Sequence, residues 1–294
     1  MTEVRRHPLL EDHRIFLVAG VHDALSAKLA QRAGFHSVVL TGFGVSAARL
    51  GEPDVGLLTQ TEMLETARRV IAAVDIPVVV DGDTGYGGVL NVARMVRELV
   101  QMGAAGILLE DQVWPKRCGH LRGKSVVPLE EHAARIAAAR EARGDASLWI
   151  TARTDAIAPL GLDEAIRRAR AYKAAGADFI FVEAPESVEQ MRRIAAEVPG
   201  PLVVNMIEGG KTPLLSLEEL HELGFISVGY VLSGLFAAAK ALATTYAYLL
   251  EHGSSRGLEG EMISFEAFTR LLGVEEKLAW AEQFEGDSPP PTEA

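Results

Sequence analysis

The chain has a single cysteine, Cys118, which rules out an internal disulfide. A reducing compartment, the cytoplasm, is the natural setting for such a sequence. Aromatic residues are scarce at 6%, too few for the stacking platform that single-stranded nucleic acid requires. Cations are short as well: 29 Lys and Arg stand against 40 Asp and Glu, for a formal charge of −11. A nucleic-acid partner, which needs a basic face, is excluded on that ground. No apolar run approaches the ~20 residues that span a bilayer. The opening stretch, MTEVRRHPLLEDHR, has no signal-peptide core. No membrane partner is therefore expected. The G-x-G-x-x-G fingerprint of dinucleotide-binding sheets follows none of the apolar runs, which disfavours a doubly wound sheet.

What is present is a chain of 294 residues, 48% hydrophobic, enough for one large core. Short, nearly continuous apolar runs recur along it: 15–19 (IFLVA), 37–40 (SVVL), 77–80 (PVVV), 106–109 (GILL), 148–151 (LWIT), 179–182 (FIFV), 202–204 (LVV) and 226–228 (ISV). Such runs suit parallel strands buried on both faces. Amphipathic helical patterns lie between them, at 61–73, 90–102, 130–142, 162–175 and 188–198. Asp163 and Ser187 stand at expected N-caps, and Ser216 with Glu219 spells a capping box. Before the second, fourth, sixth and eighth runs a helix ends on Gly34, Gly103, Gly176 or Gly224, the residue that stops a helix in left-handed conformation. Pro77 and Pro201 open the third and seventh runs. Eight strand–helix repeats predict an α/β fold, a (β/α)8 TIM barrel. Three further helical stretches, 236–252, 264–272 and 275–284, exceed what the barrel needs and suggest packing on another subunit. Residues 1–286 are expected to form one barrel domain with this helical extension, and 287–294, polar and proline-rich, a disordered tail.

In such barrels the active site forms at the C-terminal strand ends. Here those ends carry Asp81-Gly82-Asp83, Glu110-Asp111, Arg153-Thr154-Asp155, Glu183 and Asn205. One acid at a strand end is ordinarily a cap or a solvated loop residue, as Asp111 or Asp155 alone would be. Several acids converging on one rim need a compensating cation, and oxygen ligands suit Mg2+ or Mn2+. Arg153 suits a carboxylate or phosphate clamp, or pairing with one of the acids. The loop after the fourth strand, DQVWPKRCGHLRGK, holds Cys118 flanked by Lys116, Arg117 and His120, neighbours that favour thiolate. A lone cysteine is most often a small buried hydrophobe. This basic, glycine-flanked loop instead suggests acid–base work, and its length suggests a lid.

The strings VVVDGDTGYGG, LLEDQVWPKRCGHLRGK, ITARTDA and VEAPE, in this order, closely resemble the isocitrate lyase/phosphoenolpyruvate mutase superfamily, over residues 18 to 284. The resemblance implies a barrel with a helix swapped between subunits and a homotetramer built as a dimer of dimers. It implies Asp81 as direct Mg2+ ligand, with Asp54, Asp83 and Glu110 acting through water. Thr41, Gly42 and Phe43, with Arg153, Asn205 and the Cys118–Gly119 loop, would hold the substrate's oxycarboxylate. Glu183 would organise the far side. Cys118 would protonate the carbon of the departing fragment, with His120 beside it.

Two departures narrow the choice. Ile207 stands where isocitrate and methylisocitrate lyases usually carry Ser or Thr for an extra carboxylate, and an unpaired buried carboxylate costs several kcal/mol. Val231 replaces a proline common after the tyrosine matching Tyr230. The string NMIEGGKTP at 205–213 is similar to the branch of 2-alkylmalate lyases, oxaloacetate hydrolases and carboxyphosphonoenolpyruvate mutase. The expected activity is Mg2+-dependent cleavage of a 2-hydroxy dicarboxylate such as a 2,3-dialkylmalate. A phosphonate mutase, an oxaloacetate hydrolase and a methylisocitrate lyase are the alternatives on the same site, and a non-catalytic metal-binding regulator is the alternative of another class.

Overall fold

The computed structural model describes residues 15–285. The fourteen N-terminal residues and the expected disordered tail lie outside the described residues. All eight apolar runs are strands: β1 Phe16–Val21, β2 Val38–Leu40, β3 Val78–Asp81, β4 Gly106–Glu110, β5 Trp149–Thr154, β6 Phe179–Val182, β7 Leu202–Asn205 and β8 Phe225–Tyr230. They pair in sequence order, all parallel, and β8 closes on β1. The chain is the (β/α)8 barrel that the repeat implies.

The strand tips matter because register decides which side chains share the rim. Glu110 pairs with Arg153 across β4 and β5, Arg153 with Phe181 across β5 and β6, and Asn205 with Gly229 across β7 and β8. All six residues of β5 are buried, as expected for a strand walled by neighbours inside and by helices outside.

Around the barrel run α1 Ala24–Arg32, a short α2 Gly42–Val45 that passes into a π-helical turn at Ser46–Leu50, α3 Gln60–Ile71, α4 Val89–Met102, α5 Leu129–Arg143, the one-turn α6 Ile157–Leu160, α7 Leu162–Ala175, α8 Val188–Glu197 and α9 Leu217–Glu222. Their buried stripes, such as Met63 and Val70 of α3 and Met95 and Leu99 of α4, belong to one hydrophobic core with the strands' Val80, Ile107 and Ile150. Ser187 caps α8, and Ser216 and Glu219 close the capping box of α9. Gly34, Gly103, Gly176 and Gly224 all have positive φ. One cap differs from expectation: Gly161 precedes α7, and Asp163 lies in its first turn, where a negative charge still favours the helix dipole.

The chain divides into two compact units, one ending at Ala237 and one starting at Ala238. The first holds the barrel. The second holds most of α10 Ser233–His252, then α11 Phe265–Leu271 and α12 Val274–Glu285. No helix among the described residues is long and apolar enough to cross a membrane.

Candidate active site

The rim is organised around Asp81. Its Oδ2 accepts from the Gly42 amide at 3.1 Å and its Oδ1 from the Asp83 amide at 3.1 Å. Thr41 caps α2 and so turns the Gly42 amide toward β3. Glycine allows this close approach: a Cβ at Gly42 would lie 3.0 Å from Asp83 Oδ1 and 3.1 Å from Asp81 Oδ2, so both carboxylates would have to give by a few tenths of an ångström. Asp83 takes a positive φ of 47°, an uncommon backbone state of the kind found in functional turns. Asp81 has a pKa raised above the ordinary carboxylate value, first by burial and then by the charge of Asp83.

Glu110, at the tip of β4, is almost fully buried. Its Oε2 lies 3.4 Å from Arg153 Nε, while Oε1 has no hydrogen-bond partner. Burial raises its pKa well above normal; Arg153 opposes the rise and Asp155 adds to it. Arg153 holds a forked pair with Asp155, Nε to Oδ2 at 2.8 Å and Nη2 to Oδ1 at 3.0 Å. Its guanidinium also stands 3.6 Å from Glu183 Oε1 and 5.5 Å from the Phe181 ring centroid. The second of the two readings of Arg153, pairing with an acid, is thus realised, and its contacts with Glu110 and Glu183 keep it on the cavity wall.

The loop between β4 and α5 lies over this rim. Lys116, 4% exposed, places Nζ 2.5 Å from Asp54 Oδ1 and 2.7 Å from Asp83 Oδ1. Burial works against its charge, yet Asp83, Glu110, Asp54 and Asp81 outweigh that and hold its pKa well above normal. The Cys118 amide donates to the Asp54 carbonyl at 3.2 Å. Gly119 touches the opposite wall so closely that a methyl group there would overlap the Glu183 carboxylate and the Arg153 guanidinium. His120 accepts at Nδ1 from the Lys211 amide at 2.9 Å, and its Nε2 lies 3.4 Å from Glu183 Oε1. Burial lowers its pKa, so the neutral ring carries its proton on Nε2, facing Glu183.

One expectation is corrected here. The basic neighbours of Cys118 were expected to favour thiolate; instead burial pushes the half-buried thiol up to about 11, and Glu183 and Asp54 add to it. The reason lies in where the cations go. Lys116 spends its charge on acids, and Arg117 points its guanidinium to the Arg122 carbonyl.

A cavity of about 120 Å3 is lined at the rim by Thr41, Phe43, Asp54, Asp81, Glu110, Lys116, Cys118, Gly119, Arg153, Glu183 and Asn205, with Ile207, Val231 and Leu232 among its apolar residues. That is small beside the ~300–1,000 Å3 of drug-sized pockets, which suits a molecule of a few carbons. Gly42, Asp83 and His120 do not line it. They sit behind Asp81 and Glu183 and hold those side chains in place.

Could a divalent ion be held here? Among the described residues no three His, Cys, Asp or Glu are placed to ligate one ion directly. Lys116 already pairs with Asp83 Oδ1, but Asp83 Oδ2 and Glu110 Oε1 accept no hydrogen bond, and such buried atoms are costly without a cationic or donor partner. One direct carboxylate with the rest reached through water is how Mg2+ is commonly bound, and Asp81, Asp83, Glu110 and Asp54 fit that arrangement.

Three residues mattered more than their sequence setting signals. Asp111 accepts from Thr154 Oγ1 at 2.7 Å, from the Asp155 amide at 2.8 Å and from Tyr172 Oη at 2.8 Å. Asp155 pairs with Arg153, and Lys124 reaches Asp155 from the loop. Neither acid is the plain cap or solvated residue that a single strand-end carboxylate suggests.

A closed parallel barrel with an acidic rim, an arginine and a thiol-bearing loop defines an enzyme of the isocitrate lyase/phosphoenolpyruvate mutase superfamily. The phosphoenolpyruvate phosphomutase family model matches residues 6–250, and the chain belongs to that family. It is 50% identical to the petal death protein of Dianthus caryophyllus over 97% of this chain and 90% of that one. It is 44% identical to 2,3-dimethylmalate lyase of Eubacterium barkeri over 93% and 95% of the two. Among solved structures, oxaloacetate acetylhydrolase with 3,3-difluorooxalacetate superposes with TM-score 0.90 at 35% identity, covering 96% of each chain. Phosphonopyruvate hydrolase, in complex with oxalate and Mg++, does so at TM-score 0.84 and 32% identity, covering 94% and 96%.

Proposed function

We propose that this enzyme is a Mg2+-dependent carbon–carbon lyase that splits a 2-hydroxy dicarboxylate of the 2,3-dialkylmalate kind into pyruvate, or a related 2-oxo acid, and a simple carboxylate. The observation that carries the reading is a cavity whose lining brings the Cys118 thiol together with Arg153, Asn205 and acidic strand tips and with the aliphatic Ile207, Val231 and Leu232; burial raises the thiol's pKa and so favours its protonated form. A protonated thiol can return a proton to a carbanion-like fragment, and it has no evident use in a site that only binds a metal.

Asp81, with Asp83, Glu110 and Asp54 through water, would hold the cation, whose Lewis acidity would stabilise negative charge developing on the C2 oxygen. Arg153, Asn205, Thr41 and Phe43, all on the cavity wall, bind the adjacent carboxylate and orient it, while the Gly42 amide holds Asp81. A rim carboxylate takes the C2 hydroxyl proton as C2 becomes the ketone of the 2-oxo acid and the C2–C3 bond breaks, its electron pair leaving on C3; the loop over the rim excludes water from the fragment so released. Cys118 Sγ then delivers its proton to the C3 carbon of that fragment. Glu183 and neutral His120 keep the far wall in place. Ile207, Val231 and Leu232 receive the alkyl substituent, since none of them could pair with a further carboxylate.

Support for this reading comes from a 2,3-dimethylmalate lyase among the relatives and from the wall at Ile207. Pyruvate release from a panel of alkylmalates is expected with Mg2+ and to cease with excess EDTA. Cys118→Ala is expected to lose turnover by at least about 100-fold, the usual weight of a general acid, with Mg2+ binding by calorimetry unchanged. Unchanged turnover in Cys118→Ala, or full turnover in EDTA, would overturn the reading. Phosphorus NMR showing turnover of a phosphonate, with no alkylmalate cleaved, would replace it with a mutase.

A further inference from the structure

Lys124 is an expensive residue to bury. Its side chain is 1% exposed, and removing an ammonium from water costs several kcal/mol unless its partners are well placed. It has two. Nζ donates to Asp155 Oδ1 at 2.7 Å and to the carbonyl oxygen of Gly119. The first partner is itself anchored: Asp155 is fully buried, forks onto Arg153, and has its amide held by Asp111 Oδ1 at 2.8 Å. Asp111 is fixed in turn by Arg168 at 3.1 Å and Tyr172 at 2.8 Å. The second partner is the carbonyl of Gly119, the residue after Cys118, whose Cα lies against Glu183 and Arg153.

Arg153 already pairs with Asp155, so neutralising that carboxylate does not by itself account for burying Lys124; what the lysine adds is a link from Asp155 to the Gly119 carbonyl, which also satisfies a second of its own donors. The second bond ties a rigid strand end to the residue next to the thiol. We infer that Lys124 is a positioning residue: it fastens the Gly119 carbonyl, and with it Cys118, over the cavity, while its other partner, Asp155, orients Arg153. One carboxylate thus sets both the thiol and the substrate arginine. The inference rests on the proposed role of Cys118 for its catalytic meaning, but the fastening itself does not depend on which reaction is catalysed.

The test uses the full chain carrying Lys124→Met, Lys124→Gln or Lys124→Arg. Because Cys118 is the only cysteine, its alkylation by iodoacetamide without substrate reads loop position directly. Lys124→Met is expected to alkylate about tenfold faster than wild type. It should also lower kcat by about 100-fold, the cost of a misplacement of roughly 1 Å, with KM within about threefold, since Arg153 keeps its Asp155 fork. Lys124→Arg should recover much of both. A core variant, Leu99→Ala, with a comparable loss of Tm, should alkylate as wild type does, which separates release of the loop from general loosening. If Lys124→Met does not fold, Lys124→Gln carries the same comparison. A wild-type alkylation rate in either variant, or equal acceleration in Leu99→Ala, overturns the inference. Faster alkylation confined to the Lys124 variants, with no alkylmalate cleaved by any of these proteins, upholds the fastening and removes the lyase reading instead.

Discussion

Burial and the nearby carboxylates of Glu183 and Asp54 push the Cys118 pKa up to about 11, so the thiol keeps its proton through the mildly alkaline range in which an ordinary thiol, at about 8.5, loses it. That makes it a poor nucleophile and a weaker acid than a free thiol, but one whose proton is present for transfer to a far more basic carbanion. The pH dependence follows with a definite sign. The proton is present below the pKa and lost above it, so kcat/KM should show no thiol-dependent fall between pH 7 and 9 and should decline only toward pH 11. A fall centred near pH 8.5, the ordinary thiol value, would show that the thiol is not held in this environment during turnover. Lys116 shows the same physics from the other side: four carboxylates keep a buried ammonium charged, and that charge stands where a divalent ion would also be drawn.

The loop between β4 and α5 brings together residues that chain order keeps apart. Its Lys116 reaches Asp54 and Asp83, its His120 reaches Lys211, and its Lys124 reaches Asp155. Gly119 sets how deeply it seats. In Gly119→Ala the added methyl would overlap the Glu183 carboxylate and the Arg153 guanidinium, so the loop should stand off from the rim. Turnover should drop about 100-fold by loss of thiol alignment, while Mg2+ affinity by calorimetry stays near wild type; a variant with normal kcat would show that the loop does not seat this way in the working enzyme. This element also shows where sequence reading runs out. Strand positions were legible because period and length are local: each of the eight runs overlaps its strand, and the four glycine stops are left-handed as expected. The acids on the rim were legible because barrel strands deliver their last residues to one end. The thiol's protonation and the Lys124–Asp155 pair were not, because each depends on which distant side chain a cation finally meets. The short turn at Gly42–Leu50 carries no periodic signal and emerges only from its packing.

At the scale of the whole molecule, the second unit presents more apolar surface than a chain acting alone would be expected to expose. Leu250 is 89% and Phe265 86% exposed, and Trp280 and Phe284, whose rings lie 4.9 Å apart, are 64% and 70% exposed. Scattered surface leucines need no explanation, but large aromatic and aliphatic side chains repeated along three helices ordinarily mark a contact surface. We propose that a second copy of this chain covers them, as the superfamily resemblance implies through helix exchange, and that the assembly is a dimer of dimers. Closed symmetric assembly would reuse the same surface on every copy. Light scattering coupled to gel filtration should then give about four times the 31.6 kDa chain mass. The double variant Trp280→Ser, Phe284→Ser should shift that mass downward, because two hot-spot aromatics ordinarily contribute at least about 2 kcal/mol each to an interface. A wild-type mass equal to one chain would remove the assembly altogether. An unshifted tetramer in the double variant would place its contacts on other surfaces and leave these aromatics to be explained by some other partner.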